Sequence, residues 1–180
     1  MKLLKLFAIF SLLIILAACS FFDFEPEDRS NPFDPLFSGI KGYQKISDTE
    51  GGFTGTLEDS DSFGRSSVNI GDLNGDGITD LVVGAPADFD GGSGRGAVWI
   101  LFLNSNGTVK SHQKISDTEG GFPGVLDDQD FFGVSASSIG DMNGDGITDL
   151  TIGAIYDDDG GTDRGAVWIL FLNSDGTVLH

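Results

Sequence analysis

Asp72-Leu73-Asn74-Gly75-Asp76-Gly77-Ile78-Thr79-Asp80 recurs almost unchanged as Asp141-Met142-Asn143-Gly144-Asp145-Gly146-Ile147-Thr148-Asp149. Oxygen donors stand at alternate positions of this stretch. Carboxylates at Asp72, Asp76 and Asp80, the amide oxygen of Asn74 and the backbone carbonyl of Ile78 can converge on one point, because the glycines let the loop wrap tightly. The second copy repeats the set with Asp141, Asn143, Asp145, Ile147 and Asp149. An all-oxygen set suits a hard cation. Calcium accepts about six to eight oxygens at roughly 2.3–2.6 Å in irregular geometry, magnesium demands a tighter octahedron, and zinc prefers nitrogen and sulfur. Calcium is the expected ion.

Asn-Gly-Asp-Gly is also a strong hairpin-turn sequence, whatever its function. A bare turn, however, has no need of a third carboxylate at the ninth position, and three carboxylates in nine residues repel one another unless a cation joins them. The loop departs from the EF-hand, whose closing Glu at position twelve is replaced by Val83 in one copy and Ile152 in the other. Asp80 and Asp149 are expected to close the sites instead.

Outward from the loops, the duplication continues. Gln44 and Gln113, Asp72 and Asp141, and Trp99 and Trp168 are each separated by 69 positions, with about 48 of 67 aligned residues identical and no gap. A fixed period of this length marks a repeat architecture. Four strand candidates fall within one unit: Ser66 to Asp72, Asp80 to Ala85, Gly96 to Leu103 and Gln113 to Ser116. Ala97 to Leu103 is apolar at every position, so as a strand it must be buried on both faces. Turn clusters at Gly91 to Gly96 and Asn104 to Gly107 bracket it and oppose a helix. Doubly buried short strands arise where small sheets stack radially, as propeller blades do. The fold class read from these features is all-β, with blades of four antiparallel strands.

The ordered set Phe63-Gly64, Gly71 to Gly77, Asp80-Leu81, Gly84-Ala85-Pro86 and the apolar strand Gly96 to Leu103 resembles an FG-GAP repeat of the integrin α-subunit propeller. The second copy is similar at Phe132-Gly133, Gly140 to Gly146, Asp149-Leu150 and Gly153-Ala154, with Ile155 in place of the proline. The resemblance covers about 44–180. It implies a seven-bladed propeller, calcium in the blade loops, and extracellular binding or adhesion. Two blades do not close such a ring. The repeat register opens with the fourth strand, Gln44 to Ser47, and the sequence stops at His180 just before the next such strand. This arrangement points to further blades in a longer chain or to assembly with other copies.

Residues 1–18 read as an export signal, with Lys2 and Lys5 ahead of an apolar core from Leu6 to Ala18. Leu16-Ala17-Ala18-Cys19 resembles the lipobox of bacterial lipoproteins, which implies cleavage before Cys19 and lipid attachment to it. Cys19 is the single cysteine, so no internal disulfide can form. The resemblance also implies that Ser20, in place of Asp, permits transport to an outer membrane or cell surface. Residues 19–40, with Pro26, Pro32 and Pro35 among isolated phenylalanines, read as a tether. The first blade with its preceding strand is assigned to 41–112 and the second to 113–180.

The net charge of −18 disfavours nucleic acid and anionic lipid and is compatible with life among divalent cations. His112 and His180 are the only histidines, and no nucleophile stands beside a base in a recognisable motif, so no catalysis is expected. The functional expectation is a calcium-binding, membrane-anchored module that binds an extracellular protein or glycan. The competing expectation is a set of non-catalytic accessory or spacer repeats within a larger secreted enzyme or surface protein.

Overall fold

A computed structural model describes residues 42–180. The signal at 1–18, the tether at 19–40 and the lipidation position Cys19 lie outside the described residues.

Seven strands form two antiparallel sheets. In the first repeat, β1 (Ser66–Gly71), β2 (Asp80–Ala85), β3 (Ala97–Leu103) and β4 (Val109–Ile115) pair in the order β1-β2-β3-β4. In the second, β5 (Ser135–Gly140), β6 (Asp149–Ala154) and β7 (Ala166–Leu170) pair in the order β5-β6-β7. Among the described residues there is no helix. Within each sheet the connections are short loops that contain glycine, so each strand pairs with the next one in sequence.

The register places Val82 opposite Ile100 and Val83 opposite Trp99, and β3 continues to β4 with Val98 opposite Ile115. Because side chains alternate across a strand, the first sheet presents two apolar faces. Val82, Val98, Ile100, Phe102 and Ile115 face one way, into a core shared with Phe122, Leu126, Phe132, Leu150 and Ile152 of the second repeat. Val83, Trp99, Leu101 and Val109 face the other way and are covered by Phe53, Ile46, Leu57 and Phe63 from the segment before β1. Burial of each such side chain contributes roughly 1.5–3 kcal/mol before entropy is counted. The expected double burial of the apolar strand therefore holds for β3, from Ala97 to Phe102.

It does not hold for β7, although the sequence Ala-Val-Trp-Ile-Leu is the same. Trp168 and Leu170 turn toward the first repeat, whereas Val167 and Ile169 are exposed. The expected opening strand Gln44 to Ser47 also differs. Its counterpart, from Gln113 onward, is a strand because β3 supplies a ladder, while residues 44–46 have no ladder partner and Ser47 only bridges to Glu50.

Candidate metal loops and an acidic cleft

Both Asp-rich loops link the first two strands of a blade, β1 to β2 and β5 to β6. Gly75 and Gly77 take φ of 76° and 86°, a region open to glycine at little cost, and Gly144 and Gly146 repeat this with 83° and 89°. The turn aims successive N–H groups inward. Asp72 accepts from Asp76 N at 2.9 Å and Gly77 N at 2.7 Å, Asn74 Oδ1 accepts from Asp76 N at 2.9 Å, and Asp76 Oδ1 accepts from Ile78 N at 3.0 Å. In the second loop Asp141 accepts from Gly144, Asp145 and Gly146, Asn143 Oδ1 from Asp145 N, and Asp145 Oδ1 from Ile147 N.

Asp80 stands apart from the other carboxylates of its loop. It is fully buried at the start of β2, where Oδ2 accepts from Leu73 N and Oδ1 from Leu103 N, both at 3.0 Å. Burial raises its pKa, and these two N–H groups, Leu103 before Leu73, oppose the rise. Asp149 does the same work in the second blade, accepting from Met142 N at 2.9 Å and Leu172 N at 3.3 Å. The fold thus uses the ninth loop residue to tie the loop to the end of the third strand.

Among the described residues no three acidic side chains come close enough to share a metal ion. The physical reason is that the loop carboxylates turn onto backbone N–H groups. The donor chemistry nonetheless fits a hard cation, since Asp72, Asn74 and Asp76 are oxygen donors on a solvent-facing loop with further lone pairs free. The two loops differ in charge. Lys110 Nζ lies 2.9 Å from Asp76 Oδ2 and holds that carboxyl below its usual range, with the Ile78 N–H helping. The residue 69 positions after Lys110 is Leu179, which carries no charge.

A second arrangement escaped the reading of the motifs. An acidic cleft of about 360 Å³ opens on the first blade, lined by Thr54, Glu58, Asp61, Asp88, Trp99 and His112 among others. Lys114 Nζ binds Asp88 at 2.8 Å and Asp90 at 2.6 Å and lies 5.2 Å from the Trp99 ring centroid. Burial works against the Lys114 charge, but the bonds to Asp88 and Asp90 outweigh it and its pKa stands above the ordinary value. Burial raises the Asp61 pKa, and Asp61 Oδ1 has no hydrogen-bond partner. His112 packs against Phe53 and Trp99, and burial pushes its pKa down. These residues lie far apart in sequence, and no local motif signals that they meet.

Two stacked blades, each with a glycine-turned acidic loop between its first two strands, define a class: repeat modules of the β-propeller type. Residues 63–101 and 132–170 each match the FG-GAP repeat family, and the chain carries two FG-GAP repeats. It is similar to integrin alpha-2 of Mus musculus, 39% identical over 95 residues that make up 52% of this chain and 8% of that protein. Integrin alpha-6 of Homo sapiens is 39% identical over 97 residues, 54% of this chain and 8% of that protein. Integrin alpha-PS5 of Drosophila melanogaster is 41% identical over 110 residues, 61% of this chain and 10% of that protein. The chain thus spans about a tenth of the length of these relatives.

Proposed function

We propose that this chain is a calcium-binding, lipid-anchored blade module of the cell envelope that binds an extracellular protein or glycan without catalysing a reaction. The observation that carries the reading is the pair of Asp-x-Asn-x-Asp-Gly loops. Each offers oxygen donors to solvent at the same edge of its blade, and a third acid beneath holds the loop in place. Asp72, Asn74 and Asp76, with the Ile78 carbonyl and Asp80, would hold calcium in the first site. Asp141, Asn143, Asp145, Ile147 and Asp149 form the second. Because Lys110 already pairs with Asp76, the first loop is the weaker of the two. The acidic cleft beside Trp99 supports a hydroxyl-rich ligand, since Thr54, Glu58, His112 and Gln113 bring polar groups to its lining.

Calorimetry with calcium tests the loops. A ligand that binds only the folded state adds about 4 kcal/mol at a thousandfold excess over its dissociation constant. Extracellular calcium modules bind at about 0.1–1 mM, so each site contributes around 1 kcal/mol at millimolar calcium. Saturable heat and a raised melting temperature are expected, and Asp76→Ala with Asp145→Ala should abolish both. No saturable heat, with the same melting temperature in chelator and in excess calcium, rejects the reading.

A further inference from the structure

The junction between the repeats is built from contacts that have counterparts at both free ends of the pair. Arg95, in the β2–β3 loop, is clasped by Asp117 at 2.7 Å and Asp128 at 3.1 Å from the segment that leads into the second repeat. The amides of Gln129, Phe131 and Phe132 donate to the carbonyls of Ser93, Gly94 and Arg95 at 2.8, 3.1 and 3.0 Å. The Ser66 hydroxyl donates to the Gly133 carbonyl at 2.9 Å. Lys114, on the fourth strand, reaches Asp88 and Asp90.

A shift of 69 positions carries each of these charges to a group left over. Arg164, Asp157 and Asp159 replace Arg95, Asp88 and Asp90 on the trailing side of the second repeat, and Lys45, Asp48 and Asp59 replace Lys114, Asp117 and Asp128 on the leading side of the first. Among the described residues Arg164, Asp48, Asp59, Asp157 and Asp159 make no ion pair, and Lys45 makes only an exposed one with Glu50. The backbone of the leading side already has the docking shape. Ser60 and Ser62 hold φ of 79° and 61°, against 73° and 55° for Gln129 and Phe131. Between the charges lies an open apolar face. Val167 is 72% and Ile169 46% exposed, whereas their counterparts Val98 and Ile100 are completely buried by the second repeat.

We propose that the trailing face of the second repeat binds the leading side of the first repeat in a second copy of this chain. Charge complementarity and the internal junction select that occupant. Arg164 meets Asp48 and Asp59 of the second copy, Asp157 and Asp159 meet Lys45, and Gln44 to Ile46 add as a fourth strand beside β7. Register follows the internal template, in which Ile115 lies opposite Val98, so Ile46 faces Val167. The interface is head-to-tail, and such contacts close into a ring when the rotation allows. Propellers close with about four to eight blades, and these two repeats supply a pair from each copy. This assembly does not depend on calcium in the loops.

Sedimentation of the full chain in a mild non-ionic detergent, in chelator and in calcium, provides the test. A discrete oligomer that dissociates on dilution is expected. Arg164→Glu alone, and Asp48→Arg with Asp59→Arg alone, should each sediment as a monomer, since each places like charges across the contact. Mixing the two variants should restore the oligomer, because both contacts then join opposite charges. A parent chain that stays monomeric at all concentrations overturns the proposal, as does an oligomer that survives Arg164→Glu. Failure of the mixture to reassociate overturns the assigned pairing.

Discussion

Asp80 shows how one side chain can sit in a ligand-like motif and hold the fold together as well. Its carboxylate is fully buried and its two oxygens serve amides on two different elements, Leu73 N in the loop and Leu103 N at the end of β3. A buried amide left without an acceptor costs about 1–3 kcal/mol. Asp80→Ala is therefore expected to destabilise the protein by that amount for each amide, in chelator as well as in calcium. Denaturant unfolding in chelator checks it. If the loss appears only when calcium is present, the residue acts through the ion alone. The alternation of oxygen donors identified Asp80 as important, but sequence spacing does not say which way a carboxylate points. That depends on Leu103, which is 23 positions away and is brought near by the β2–β3 pairing.

Strands β3 and β7 share the residues Ala-Val-Trp-Ile-Leu and differ in what covers them. The second repeat packs on Val98 and Ile100, while nothing among the described residues packs on Val167 and Ile169. Ile100→Ala should cost about 2–5 kcal/mol, the range for truncating a buried side chain. Ile169→Ala, measured in the Arg164→Glu background so that the protein is a monomer, should cost under about 1 kcal/mol. Equal losses at the two positions would mean that the face on β7 is covered. Strand existence was legible for β1, β2 and β3 because turn clusters bound short apolar runs. Strand status at Gln44 to Ser47 was not, because a strand is a pairing and the pairing partner is not encoded locally.

At the scale of the whole molecule, the two repeats form one body because the second covers a face of the first. The proposed membrane attachment rests on the lipobox-like Leu16-Ala17-Ala18-Cys19 of the sequence. A lipid chain on Cys19 is the strong hydrophobic anchor the sequence offers. Cys19→Ser is therefore expected to move the protein from the membrane to the soluble fraction on cell fractionation. Retention equal to that of the parent would rule out anchoring through this residue. The described residues contain no helix long and apolar enough to cross a membrane.

Repetition, alternation of apolar and polar residues, and glycine-turned acidic loops are local signals, and the sequence alone carried them to an all-β blade architecture and to FG-GAP repeats. What required the tertiary structure was everything that depends on neighbours distant in sequence. Asp80 became a tie between strands, Lys114 the centre of an acidic cleft, and the same five residues a core strand in one blade and an open face in the other. The reason is that burial and ion pairing are properties of what lies opposite a residue. Two nearly identical repeats give each position the same intrinsic preferences but place different surfaces against it.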